Sequence, residues 1–336
     1  MNASVNDTIK SIQSFYSPLE KTAVSVHILV FNHKNSIRRC LDSVLMQMVN
    51  FNVEILIHDD CSTDGSTSIC EEYANKYPQF IKLFKEEHNL YTKEIGVFEI
   101  EKKLTQESSG EFIALCEGDD YWIDKTKLYW QYHSMKAHKD CFLCSHSVLV
   151  RNFVTGEMSH LPKRGHSTGV INSDLFIDFI NKDYSFQTSS FFFDRNQFMK
   201  FHEINPSFAR IMPTNDEGWL LYFGSIGNVF YIDKEMSCYN KETINSWSSK
   251  SGKFSKEEKH NHRVKVAKAL EEFNLFTNSK FKKSCIERIS FNVVMNLINE
   301  NNFEAIFKNK DYRHALWRIN KVAYIKKWIK CYVFRK

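Results

Sequence analysis

Two short apolar runs that each end in a pair of aspartates constrain this chain more than any other feature. Val53-Glu-Ile-Leu-Ile57 leads into His58-Asp59-Asp60, and Phe112-Ile-Ala-Leu-Cys116 stops at Glu117-Gly118-Asp119-Asp120. Apolar runs of this length read as strands buried on both faces, the situation of a sheet covered by helices on each side. Val24 to Phe31 is a third such run. After it, Asn32 to Asn35 turn the chain, and Ser36 is placed to cap a helix with Ile37, Leu41, Val44, Leu45 and Met48 on one face.

The alternation continues with a helix expected over Ser66 to Lys76, a strand over Ile81 to Phe84 and a helix from about Lys125 to His138. This order predicts an α/β fold, a doubly wound sheet flanked by helices. Beyond Val150 the signals weaken. Phe142 to Val150, Phe191 to Phe193 and Val229 to Ile232 read as strands, Asp216 to Gly224 as a short helix, and the chain from Lys250 as mostly helical and polar. The expected organisation is a leader over 1–20, a domain over 21–248 with halves 21–150 and 151–248, and a helical basic extension over 249–336.

Composition limits the class. Hydrophobic residues make up 43% and charged residues 25%, the balance of a soluble globular protein. No apolar run approaches the ~20 residues of a membrane span, and Met1 to Glu20 lacks the layout of a secretory signal, so a cytoplasmic protein is expected. The nine cysteines are odd in number and scattered, which reads as reduced thiols; the lone Cys141/Cys144 pair has no second pair at zinc-ligand spacing. Net charge is +5, but Lys308 to Lys336 carries ten Lys/Arg against Asp311, so +5 less +9 leaves −4 on the remainder.

Open α/β sheets bind ligands at the carboxyl ends of their strands, so the two aspartate pairs are expected in one crevice. Carboxylates gathered there repel unless a cation or donors offset their charge. Hard oxygen ligands suit Mg²⁺ or Mn²⁺, which commonly bridge one or two carboxylates to phosphates, and a diphosphate ligand follows. The alternative for each pair alone is a turn that caps the next helix. Neither GxGxxG nor GxxxxGK[ST] occurs, nor HExxH nor GxSxG. Dinucleotide dehydrogenases and P-loop enzymes are thereby disfavoured.

These motifs resemble the family 2 glycosyltransferases, inverting enzymes of GT-A fold that build bacterial surface polysaccharides and lipopolysaccharides. Val24 to Asn32 is similar to that family's opening strand, His58-Asp-Asp-Cys-Ser-Thr-Asp64 to its nucleotide-binding turn, and Gly110 to Trp122 to its metal-site strand. The resemblance implies that Phe31 and Asn32 lie near the base, that Asp60 hydrogen-bonds uracil, that Asp119 meets the donor ribose and diphosphate, and that Asp120 ligates Mn²⁺ or Mg²⁺. Asn215 to Val229 is similar to the family's acceptor region, which implies Asp216 as catalytic base with Glu217 as its competitor. Where the family often has Tyr-Arg, this chain has Tyr239-Asn240-Lys241, so either Lys241 meets the diphosphate or that contact is absent. Cys61 stands at a common Gly, and His58 at an aliphatic position.

The implied partners are a nucleotide-sugar donor, UDP-linked by the resemblance, and a glycan or lipid-linked glycan acceptor. Ile319, Val322, Ile325, Ile329 and Val333 recur at helical spacing amid basic residues, so 308–336 reads either as a helix for the inner membrane surface or as one packed on the protein. A nucleotidyltransferase lacks support because Phe31 to Ser36 contains no glycine. Nucleic-acid binding lacks a recognised motif. A non-catalytic scaffold with a degenerate nucleotide site is the remaining alternative.

Overall fold

The computed structural model describes residues 10–17, 20–91, 96–162, 167–182, 186–241, 247–319, 321 and 324. In chain order the strands are β1 (Lys10–Ser11), β2 (Thr22–Val30), β3 (Met48–Val49), β4 (Asn52–Asp59), β5 (Ile81–Lys85), β6 (Phe112–Glu117), β7 (Tyr121–Trp122), β8 (Cys141–Asn152), β9 (Met158–Leu161), β10 (Gly169–Ile171), β11 (Phe192–Asp194) and β12 (Asn228–Lys241). The helices are α1 (Ile12–Phe15), α2 (Ile37–Leu45), α3 (Ser66–Lys76), α4 (Gly96–Glu107), α5 (Lys127–Ala137), α6 (Ser173–Asn181), α7 (Arg195–Ile204), α8 (Ser207–Ile211), α9 (Asn215–Ile226), α10 (Trp247–Ser251), α11 (Lys256–Phe276), α12 (Lys282–Asn299), α13 (Phe303–Lys308) and α14 (Lys310–Ile319).

The chain divides into two compact units. The first holds residues 1–173, 184–204 and 226–251 and contains one mixed sheet in the order β10-β12-β8-β11-β6-β2-β4-β5, with β7 on β12 and β9 on β8. Strands β6, β2, β4 and β5 run parallel, and β11 is antiparallel to both β6 and β8.

Side-chain alternation explains why β2 is buried on both faces. Val24, Val26, Ile28 and Val30 join Ile55 and Ile57 of β4 and Ile37, Leu41 and Val44 of α2 in the main core. Each fully buried side chain of this kind contributes about 1.5–3 kcal/mol. The alternate residues meet α4, where Leu56 packs with Ile100 and Leu104. This second face also carries polar groups, each with a partner. His27 joins Glu101 through Nδ1 at 2.7 Å and Ser108 through Nε2 at 2.8 Å. Glu54 accepts from Ser25 Oγ at 2.6 Å and from the Ser109 amide. Burial works against its charge, yet these bonds and Lys82 hold the Glu54 carboxyl below its ordinary range. The Ser-His-Glu order is that of a catalytic triad, but all three residues are buried, and the array ties β2 to α4.

The helix after β2 is shorter than its sequence pattern. Met48 belongs to β3, paired with β1, and Ser36 Oγ donates to the His33 carbonyl instead of capping a helix amide. Cys141 and Cys144 are buried free thiols.

The second unit comprises 174–183, 205–225 and 252–336, so it draws two segments out of the linear range 21–248. Phe208 of α8 meets Phe273 and Phe276 of α11 edge-on, with centroids 5.1 and 5.2 Å apart. Ala315 and Leu316 of α14 pack with Val294, Ile306 and Phe307. The apolar stripe expected at Val322, Ile325, Ile329 and Val333 lies outside the described residues. Among the described residues no helix is long and apolar enough to cross a membrane.

Candidate active site

The acidic ends of β4 and β6 flank the end of the same central strand. The Asp60 amide donates to the Val30 carbonyl at 2.9 Å, and the Gly118 amide donates to the Leu29 carbonyl at 2.9 Å. With β2 between them, β4 and β6 are two strand spacings apart, about 10 Å. Glycine suits position 118 in this junction, because a Cβ there would stand 2.5 Å from His33 Nδ1 and 3.0 Å from the Leu29 oxygen.

The loop after β2 is fastened to the turn after β4. Asn32 adopts a left-handed φ of 57°. Its amide donates to Ser62 Oγ at 2.9 Å, and its Oδ1 accepts from the Thr63 amide at 2.8 Å. Further along, the His33 amide donates to Ser66 Oγ at 2.8 Å and the Lys34 amide to Asp64 Oδ2 at 2.9 Å. Phe31, beside this seam, is 39% exposed. Asp59 is structural, since its carboxylate accepts from Thr67 Oγ1 and the Ser62 amide. Asp60 is buried, and its two oxygens accept from the amides of Leu90 (2.6 Å) and Tyr91 (3.1 Å). Each oxygen keeps capacity for another donor. Cys61 has φ 62°, a conformation that suits glycine and costs other residues about 1–2 kcal/mol. His58 is buried on the α4 side with Nε2 3.1 Å from Glu86.

Asp120 is 1% exposed and held at both oxygens. Oδ1 accepts from the Asn240 amide at 2.9 Å, and Oδ2 from Gln187 Nε2 at 2.9 Å. Asn240 also donates through Nδ2 to the Asp119 carbonyl at 2.6 Å. Burial, then the neighbouring Asp119, push the Asp120 carboxyl well above its ordinary range, while the Asn240 amide pulls the other way. A cation would offset that repulsion. Among the described residues no group of three or more His, Cys, Asp or Glu forms a ready cage. The adjacent carboxyl groups of Asp119 and Asp120 are hard oxygen donors of the kind Mg²⁺ and Mn²⁺ take.

Lys241 ends β12, exposed, one residue after Asn240 and opposite Asn152 in register. Two cations that the sequence reading passed over lie beside the acidic turn. The Arg39 guanidinium stacks 3.4 Å from the Tyr121 ring centroid, and Arg39 and Arg151 both lower the Tyr121 hydroxyl against the burial that pushes it up to about 12. Gln187 and Asn240 were also missed. No local pattern marks them, because their partners lie 67 and 120 residues away.

Asp216 and Glu217 occupy the first turn of α9, in the second unit. Glu217 is ion-paired with Arg288 Nη2. Asp216 is half-buried; desolvation raises its carboxyl and Glu217 adds to the rise, opposed by a hydrogen bond with Thr214.

Residues 25–202, over half of the chain, match the family model described as glycosyl transferase family 2. An uncharacterized protein of Mycobacterium tuberculosis is 30% identical over 232 residues, covering 67% of this chain. The chain spans 61% of that relative's length. The Escherichia coli UDP-Glc:alpha-D-GlcNAc-diphosphoundecaprenol beta-1,3-glucosyltransferase WfaP is 33% identical over 141 residues, 42% of this chain and 52% of that protein. In fold, the chain is similar to the crystal structure of S. aureus TarS 1-349 in complex with UDP-GlcNAc, at TM-score 0.59 and 17% identity over 88% of this chain and 80% of that one. With its mixed sheet flanked by helices and a helical C-terminal region, the chain has the GT-A fold and belongs to glycosyl transferase family 2.

Proposed function

We propose that the chain is an inverting glycosyltransferase that moves a sugar from a UDP-sugar to a hydroxyl of a glycan or lipid-linked glycan in bacterial surface polysaccharide synthesis. One observation carries the reading: the Asp60 and Asp119-Asp120 turns are both bonded to the last residues of β2. The printed names of the relatives support the donor class, since WfaP is named for UDP-Glc and the TarS structure was solved with UDP-GlcNAc.

In this reading Phe31 and Asn32 bound the base, Asp60 accepts from the uracil ring, and Asp119 meets the ribose and diphosphate. Asp120, with Asp119 beside it, holds Mn²⁺ or Mg²⁺, an ion that when bound neutralises charge on the departing nucleoside diphosphate. Arg39, Arg151 and Lys241 supply further positive charge. The acceptor oxygen attacks the anomeric carbon while the bond to the β-phosphate oxygen breaks and that oxygen leaves with the electron pair. Asp216 takes the hydroxyl proton. Two features favour Asp216 over Glu217: its carboxyl is raised toward the range of a working base, and Glu217 is committed to Arg288. The basic stretch 308–336 is assigned to an anionic membrane surface, which sedimentation with anionic and neutral vesicles tests; equal binding to both would refute it.

Calorimetric titration with a panel of nucleotide diphosphates, with and without Mn²⁺, tests the donor site. UDP is expected to bind, more tightly with Mn²⁺. Failure of every nucleotide to bind would favour the scaffold reading. Asp216→Asn is expected to keep UDP binding and lose transfer; near-normal turnover would remove Asp216 from the role of base.

A further inference from the structure

We propose that Gln187 is a positioning residue that orients the Asp120 carboxylate for the divalent cation; this rests on the donor-site reading above. A glutamine amide can be turned either way, and here the choice is fixed from outside. Gln187 Oε1 accepts from the Ser189 amide at 2.7 Å and from Ser189 Oγ at 2.5 Å, so the oxygen end is committed. The nitrogen end must then face Asp120 Oδ2, to which it donates at 2.9 Å.

Ser189 is itself anchored. Its Oγ lies 2.8 Å from Ser237 Oγ on β12, three residues before Asn240, whose amide grips Asp120 Oδ1 at 2.9 Å. The short 3₁₀ turn Thr188–Ser190 and strand β12 thus hold the two oxygens of one carboxylate from a single linked frame. Gln187, Ser189, Ser237 and Asn240 are all buried, so water does not compete for these bonds. Each carboxylate oxygen accepts about two hydrogen bonds or ligand contacts, and the frame uses one on each. One position per oxygen remains for a cation, at an angle the frame sets. Hydrogen bonds to ligating carboxylates usually matter about 10–100-fold in metal affinity.

The test uses the full chain with saturating UDP, and reads Mn²⁺ affinity from the free-ion electron paramagnetic resonance signal. Gln187→Ala is expected to weaken Mn²⁺ binding about 10–100-fold while leaving metal-free UDP affinity within about twofold. Turnover in this variant should recover at high Mn²⁺, which it should not do in Asp120→Ala. Ser189→Ala keeps Gln187 and the backbone amide that holds its Oε1 but removes the hydroxyl bond to it, and should weaken Mn²⁺ by a smaller factor; it decides the matter if Gln187→Ala does not fold. Mn²⁺ affinity within twofold of the parent in the folded variants would overturn the proposal. A parent protein that binds UDP but no Mn²⁺ overturns it too while the nucleotide site stands, whereas one that binds neither removes both.

Discussion

Replacing Gly118 by alanine tests the junction on which the site depends. The new Cβ would lie 2.5 Å from His33 Nδ1, 3.0 Å from the Leu29 oxygen and 3.4 Å from His33 Cγ. Ordinary contact begins near 3.4 Å, so the imidazole must retreat by about 0.9 Å. Its backbone has little room to follow. The His33 amide is held by Ser66 Oγ at 2.8 Å, and its carbonyl accepts from the amides of Ser36 (2.9 Å) and Ile37 (2.8 Å). The ring must rotate or the acidic turn must shift, and overpacking of this kind costs about 1–3 kcal/mol. For a chain of 336 residues that lowers the melting temperature by about 1–4 °C. UDP affinity should fall further than stability alone implies, because the displaced turn carries Asp119 and Asp120 while the displaced loop carries Phe31 and Asn32. Thermal unfolding and UDP titration of Gly118→Ala, His33→Ala and the double variant measure both. The double variant should recover more than half of the lost stability, leaving only the contact with the Leu29 oxygen. Parent-like stability and UDP affinity in Gly118→Ala, or no recovery on removing the ring, would refute the reasoning.

Two further predictions concern buried charge. Asp216 is raised in the fold, so its contribution is favourable below its unfolded range and is lost as pH rises through the folded value. Asp216→Asn should therefore be more stable than the parent at pH 7, and the gain should fade in acid; scanning calorimetry from pH 3.5 to 7 checks this, and a gain independent of pH would contradict it. Lys127 is fully buried, donates to Gln131 Oε1 at 2.7 Å and lies 4.1 Å from the Trp122 ring; burial lowers its amine from 10.5 to about 7. Keeping it protonated in the fold costs on the order of 5 kcal/mol at about 1.4 kcal/mol per tenfold. Lys127→Met forfeits the Gln131 bond, worth about 1–3 kcal/mol as an unsatisfied acceptor, so a net gain of about 2–4 kcal/mol is expected. That gain should be full below pH 7 and shrink toward pH 10.5, as denaturant titrations at pH 6 and 9.5 would register; destabilisation at pH 6 would count against it.

How much of this was legible in the sequence depends on whether a residue's role is local. The ends of β4 and β6 were readable because strands buried on both faces must be apolar throughout, and an aspartate pair at each end stands out against that background. Helix α4 was not readable. Its buried face includes Glu101 and Thr105, whose polarity hides the helical stripe; Glu101 is explained by His27, 74 residues away, and Thr105 by its hydroxyl bond to the Glu101 carbonyl. The distal half of β12 was missed for a similar reason: Glu235, Ser237 and Asn240 break the apolar run, yet two of them are buried because Ser189 and Asp120 meet them from other elements. Asp216 and Glu217 were inseparable by position, and their difference comes from Arg288, 71 residues on by its number. Cys61 shows the converse. Its departure from glycine was visible at once, but only φ 62° says what the departure costs, a strained backbone beside Asp60. A sequence therefore exposes the groups that a fold presents to its ligand, while the donors that aim those groups are buried polar residues whose pattern becomes apolar-like only in three dimensions. Gln187 belongs to this second class, which is why a test of Mn²⁺ affinity there probes the architecture of the site more directly than another substitution among the aspartates.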